Sequence, residues 1–233
     1  MGSIAGNLLE INNAITAAAI KSGRQPQDIQ LVGVTKTITP ERINQLLAAG
    51  VSNLGESRVQ DFLPKYDALK LSHPQPTWHF IGHLQRNKVK FIIDKAALIH
   101  SVDSVALAEE IDKRAEKAGI IADILIEINI AGEDSKHGIN PEEAVNFTKK
   151  LSIFNNIRIK GLMCIAPNVK NPEKNRRYFA KMFNLLIDIN ASGMHNYTLT
   201  ELSMGMSGDY TVAIEEGATM VRIGTALVGA EAH

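Results

Sequence analysis

Cysteine is almost absent: the 233 residues hold one, Cys164. That excludes an internal disulfide framework and a multi-cysteine zinc site. Net charge is absent as well, with 25 Lys+Arg against 25 Asp+Glu, which argues against a protein that grips nucleic acid through bulk electrostatics. No apolar run approaches the ~20 residues that span a bilayer, so no membrane contact is expected. Met1 to Gln30 has no cationic segment followed by an apolar core, and a secretory leader is not expected either. Linkers, low-complexity stretches and shifts of composition are missing. Residues 1–233 therefore read as one domain of a cytoplasmic protein.

What is present is a regular alternation. Short β-branched runs are followed by longer segments of helical period, the pattern of βα units around a parallel sheet. Ile4 to Ser22 reads as a leading amphipathic helix with Leu8, Ile11, Ile15 and Ala18/Ala19 on one stripe. Eight strands are expected, at Leu31–Thr35, Val51–Leu54, Trp78–Ile81, Leu98–Ser101, Ile124–Ile128, Gly161–Ile165, Thr198–Leu202 and Met220–Ile223. Thr39-Pro40-Glu41, Asn140-Pro141-Glu142 and Asn171-Pro172-Glu173 each offer a cap followed by a Pro at the first helical position. Gly50, Gly119 and Gly217 stand where helices end. Roughly 25 residues per unit gives a (β/α)8 barrel near its minimum length, with an extra N-terminal helix. The alternative is an open doubly wound sheet. It would usually carry Gly-x-Gly-x-x-Gly after its first strand, and that motif is lacking.

Barrels place their chemistry at the C-terminal ends of the strands. That rule selects Lys36 after the first strand, Asn53 in the second, His79 in the third, Met163 in the sixth and Arg222 in the eighth. A lysine at a strand end commonly snorkels to solvent; held desolvated in the mouth, it becomes a nucleophile toward an aldehyde. Leu202 to Tyr210 is glycine- and hydroxyl-rich and leads into a helix from about Asp209 to Glu216. Gly224-Thr225-Ala226 follows the eighth strand at the same rim. Two such turns in the last two units predict a phosphate site with Ser203 and Ser207 nearby. Arg222 interrupts an apolar strand; Val221 and Ile223 face one way and Arg222 the other, so an inward Arg needs an acceptor.

Together these segments resemble the pyridoxal phosphate homeostasis protein family, which is similar to the barrel domain of alanine racemase standing alone (the type III pyridoxal phosphate fold). The resemblance rests on Val32-Gly33-Val34-Thr35-Lys36, Trp78-His79-Phe80-Ile81-Gly82-His83-Leu84-Gln85-Arg86-Asn87-Lys88, Lys136-His137-Gly138, Leu202 to Ser207 and Val221-Arg222-Ile223-Gly224-Thr225-Ala226. It implies pyridoxal 5′-phosphate bound as a Schiff base on Lys36. Ser203, Ser207, Gly224 and Thr225 would surround the phosphate, Arg222 would face the pyridine nitrogen, and Asn53, His79 and Met163 would lie near the ring. It also implies a role in intracellular pyridoxal phosphate homeostasis and amino-acid balance, without established turnover. Free amino acids and apo-enzymes that use the cofactor are the further partners it implies.

The competing readings are a small racemase or lyase using the same cofactor, and an aldolase-like barrel using Lys36 on a sugar phosphate. A guanidinium at the pyridine nitrogen cannot accept a proton, which weakens the cofactor as an electron sink. A racemase of this build takes its second base from a further domain, for which this chain has no length left; by the same token a monomer is expected. His79 and His83 are four apart in a strand-and-turn context, so no metal is expected. Arg86 to Lys90 reads as a solvated helix start, with no nucleic acid as its partner. Cys164, in an apolar run, reads as an inert small hydrophobe.

Overall fold

The computed structural model describes residues 3–71, 74–133, 136–193 and 198–229. Eight parallel strands close into a barrel in chain order: β1 Gln30–Val34, β2 Asn53–Glu56, β3 Thr77–Phe80, β4 Leu98–Val102, β5 Ala122–Ile128, β6 Ile157–Cys164, β7 Glu201–Met206 and β8 Met220–Ile223. The last strand returns to the first, with Val32 opposite Arg222. The expected barrel is thus the observed one. The helices around it are α1 Ile4–Lys21, α2 Pro40–Ala48, α3 Val59–Leu69, α4 Val89–Ile92, α5 Val105–Ala118, α6 Ala144–Leu151, α7 Arg176–Ala191, α8 Tyr210–Glu215 and α9 Thr225–Val228.

The leading helix forms as its pattern requires. Ser3 accepts the Gly6 amide at its start, and Leu8, Ile11, Ile15, Ala18 and Ala19 are its buried stripe. It packs on α8 and α9. Beyond its end, Arg24 donates to the carbonyls of Ile214 and Ala218 at 3.2 and 2.8 Å, and Asn7 on α1 donates to Leu227 at 3.0 Å. Both of the last two helices are therefore laced to the N-terminal one. Thr39, Asn140 and Asn171 cap as expected, although the latter two open 3-10 turns ahead of α6 and α7 rather than the helices themselves.

Of the strands that differ from the expected bounds, three differ most. β2 starts at Asn53, because the Val51 amide is already spent on the Leu46 carbonyl at 2.9 Å as α2 closes. β6 starts four residues early, at Ile157: exposed Arg158 pairs with Asp123 of β5 at 2.6 Å, so a charged residue occupies a strand position. β7 runs from Glu201 through Met206. Thr198 to Thr200 lies outside it, with Leu199 held on both backbone atoms by the Asn190 side chain. The run Ser203-Met204-Gly205-Met206, expected as loop, is strand. Gly205 looked like a turn residue, but it is there because α8 lies against β7. A Cβ at this position would sit 2.6 Å from the Ala213 Cβ, and its φ is +90.

Alternation sorts the strand side chains into two cores. Trp78, Phe80, Ile99, Ile126, Val221 and Ile223 face outward into the shell between strands and helices. Inside the barrel, Leu98, Leu125, Met163 and Met220 form a separate apolar plug. Two residues further along the same strands come His100, Glu127 and Arg222. Since side chains recur on one face every second residue, a polar layer lies directly on the mouth side of the plug.

Candidate functional site

Glu127 apart, the polar layer is a single hydrogen-bonded chain across the barrel. Arg222, 4% exposed, donates from Nη1 to Ser203 Oγ at 2.7 Å and from Nη2 to the Cys164 carbonyl at 2.9 Å. Ser203 Oγ lies 2.9 Å from His100 Nδ1, His100 Nε2 lies 2.9 Å from His79 Nδ1, and His79 Nε2 lies 3.4 Å from Asn53 Oδ1. The direction of the run is set at its far end: Asn53 Oδ1 only accepts, so His79 Nε2 donates to it, and each neutral ring has one donor and one acceptor. Ser203 accepts from Arg222 and donates to His100; His100 donates from Nε2 to His79; His79 donates from Nε2 to Asn53. Both rings are neutral in this scheme. Burial agrees: it lowers His79 to about 4 and takes His100 well below the ordinary value, with the fields of His79 and Arg222 adding to the effect on His100.

Arg222 thus points inward, with acceptors, as its lone charge in an apolar strand required. Ser203 is a correction to the expected rim: it is fully buried and its hydroxyl is committed to Arg222 and His100. Met163 lies in the apolar plug. Asn53 opens β2 rather than closing it, yet reaches His79. Cys164 is buried, and burial pushes its thiol up to about 12, as suits an inert residue.

Glu127 was not anticipated from the sequence. It is 6% exposed, and its Oε2 has no hydrogen-bond partner among the described residues. Burial, and then the field of Asp103, push its carboxyl from 4.5 up to about 7, with Arg222 pulling the other way. A carboxyl that holds its proton more tightly folded than unfolded stabilises the fold fully below pH ~4.5, and that stability is lost as pH rises through about 7. His79 has the opposite slope: its contribution is present above pH ~6.5 and is lost as pH falls toward about 4. Between those limits Glu127 offsets about one histidine, and His100, also lowered by burial, adds a slope of the same sign as His79. Glu127→Gln is therefore expected to be more stable than the parent at pH 8, by on the order of 3 kcal/mol, with the difference vanishing near pH 4.5. Its stability is also expected to fall more steeply on acidification than the parent's. Denaturant midpoints across pH 4.5–8 check both points, and a pH-independent difference would reject the assignment.

At the rim, Ser207 Oγ accepts the amides of Gly224 and Ala226, each at 3.3 Å. Two backbone donors therefore converge on one oxygen position at the start of α9. Thr225, the first residue of that helix, is exposed. Ser207 itself sits in a turn held by Asp209, whose carboxylate accepts from the Met206 amide at 2.7 Å and from Asn175 Nδ2 at 2.8 Å. Oxyanions suit such an arrangement, since it offers donors and a helix-start dipole at once.

Lys36 lies across β1 from this rim. It stands in an exposed turn, two residues past the last residue of the strand, and not in the desolvated mouth position expected of a strand-end lysine. Its backbone, however, is pinned. Thr35 is buried; its hydroxyl bonds Glu56 Oε1 at 2.6 Å, and its carbonyl accepts Lys65 Nζ at 2.5 Å and the Ile38 amide at 3.2 Å. Lys65 and Glu56 are themselves a buried ion pair at 2.6 Å. Their role was missed in the sequence, where Glu56 stands just past the expected second strand.

The family model for the alanine racemase N-terminal domain matches residues 17–232. A pyridoxal phosphate homeostasis protein of Aquifex aeolicus is 45% identical, covering 95% of this chain and 96% of that one. The structure of PipY from Synechococcus elongatus with PLP bound is 32% identical, with a TM-score of 0.84, over 97% of this chain and 100% of that one. An alanine racemase of Clostridium difficile, 19% identical with a TM-score of 0.73, shares the fold over 99% of this chain but 57% of its own length.

Proposed function

The chain belongs to the pyridoxal phosphate homeostasis protein family, and from that membership we propose that it binds pyridoxal 5′-phosphate on Lys36 and serves to hold and pass on the cofactor rather than to turn over amino acids. The observation that carries the proposal is the rim: the Gly224 and Ala226 amides already meet at one oxygen position, where a phosphate oxygen fits in place of Ser207 Oγ. The side chains of Ser207 and Thr225 then add hydroxyls. When bound, the cofactor supplies an aldehyde that condenses with an amine and a ring that withdraws electrons. Lys36 Nζ is the amine on this chain.

Arg222 faces the ring nitrogen in this reading and cannot accept a proton from anything. A nitrogen opposite a guanidinium stays unprotonated, and the electron sink is weak. Ser203 acts by holding Arg222, and Asn53 and His79 by completing the chain behind it; Met163 supplies the apolar floor. Amino acids can enter as competing amines, which needs no carbanion. The reading places the protein in the cytoplasm as a single-domain monomer, with apo-enzymes as recipients of the cofactor.

Addition of pyridoxal phosphate to the purified chain tests this. A near-violet absorbance band is expected, fixed by borohydride as one added cofactor in the intact mass. Ser207→Ala is expected to weaken binding about tenfold, a loss of ~1.4 kcal/mol. Absence of the band would reject the cofactor; unchanged affinity of the variant would move the phosphate elsewhere.

A further inference from the structure

Away from the cofactor residues, three side chains from three different loops converge. His83 follows β3, Asp103 follows β4 and His137 follows β5. The ligand atoms of all three lie within 4.8 Å of one another. His83 Nδ1 is 3.6 Å from Asp103 Oδ2, and the two imidazoles stack with centroids 3.8 Å apart and planes 13° apart. We propose that His83, Asp103 and His137 form a binding site for a divalent first-row transition ion of the zinc class, on the arc of the barrel mouth opposite the phosphate rim.

Ligand chemistry selects the ion. Two imidazoles and one carboxylate suit zinc and its neighbours, whereas magnesium and calcium prefer all-oxygen sets. Three protein ligands leave a fourth tetrahedral position open. Tetrahedral zinc–nitrogen bonds of ~2.0–2.1 Å set ligand atoms about 3.3 Å apart; the two stacked rings must turn out of parallel for both lone pairs to meet one ion, and both side chains are exposed.

The backbone under each ligand is already fixed, and that separates this cluster from a chance meeting of surface histidines. Gly82, before His83, packs so close to the Ser57 backbone that no Cβ fits, and Leu84 after it is buried. Gly138, after His137, has φ +106, and a Cβ there would lie 2.6 Å from the Asn129 amide nitrogen. Asp103 stands between buried Val102 and Ser104, the residue that caps α5. Asn129 also clips the loop ahead of His137, accepting the Glu133 amide at 3.2 Å and donating to its carbonyl at 2.9 Å. A pre-set backbone lowers the ordering cost of binding.

In the closed strand order β4 stands opposite β8, so the ion does not compete with the phosphate. The site is independent of the cofactor assignment, and its test uses metal alone. The cofactor-free full chain is titrated with zinc chloride by calorimetry, and with cobalt chloride for its visible spectrum. One ion per chain is expected, with the intense visible bands of tetrahedral cobalt. His83→Ala, His137→Ala and Asp103→Asn are each expected to weaken binding at least about tenfold. Both histidines are exposed, so their variants fold. No saturable binding would overturn the proposal and leave His83 and Asp103 as a plain surface contact. Binding that survives all three substitutions would overturn it as well, by placing the ion elsewhere.

Discussion

Lys36→Ala is expected to abolish covalent attachment of pyridoxal phosphate while leaving the barrel folded. The side chain is exposed and enters none of the hydrogen bonds found among the described residues. Surface substitutions of this kind usually change stability by less than ~0.5 kcal/mol. Loss of the amine, by contrast, removes the only bond that forms with the aldehyde. Attachment at Lys36 therefore falls to nothing, whereas the phosphate contacts survive and sustain weak, reversible binding. Borohydride reduction followed by intact mass and peptide mapping reads the difference: one cofactor on the Lys36 peptide of the parent, none on the variant. Label on another lysine, or a visible band that persists in the variant, would sink the assignment. Lys65 is the natural control, since it is buried and already bonded to Glu56 and Thr35.

A larger loss of stability is expected from Lys65→Met. The substitution leaves the Glu56 carboxylate, fully buried and with Oε2 already unpartnered among the described residues, without its counter-charge. Breaking a buried pair from one side costs about 3–5 kcal/mol, whereas replacing both members with apolar groups is often neutral. Lys65→Met combined with Glu56→Leu should therefore regain most of the stability. It should not regain the cofactor, because the Thr35 carbonyl has lost Lys65 and the turn carrying Lys36 is no longer fixed on that side. Denaturant midpoints and rates of cofactor attachment, measured on the same three proteins, separate the two effects. A cost below ~1 kcal/mol for Lys65→Met would show that the pair contributes little; full recovery of attachment in the double variant would remove its positioning role.

The parts of this molecule that were legible from sequence are those carried by local period. The stripe of α1, the count of eight strands and the inward turn of Arg222 all follow from which residues share a face. Strand β7 was misread because Ser203, Gly205 and Ser207 look alike as letters: one is a buried link, one a packing gap and one a rim ligand. His100 was passed over because its partner lies far along the chain, Ser203 at 103 positions, and Glu127 because only barrel closure buries it. The three residues of the proposed metal site share no spacing rule, since each comes from a different loop. Only barrel closure brings them together.

The one-way hydrogen-bond chain also constrains descent with modification. Each member from Ser203 to Asn53 takes a proton from one neighbour and offers one to the next, or ends the run as an acceptor. A mutation that reverses donor and acceptor at a single link leaves two facing lone pairs or two facing hydrogens in a buried layer, at a cost of about 1–3 kcal/mol. Lineages can leave this arrangement only by changing His79 and His100 in concert, or by replacing the whole run with apolar residues and giving up Arg222 with it. The outer shell, built from interchangeable aliphatic side chains, is free to drift one residue at a time.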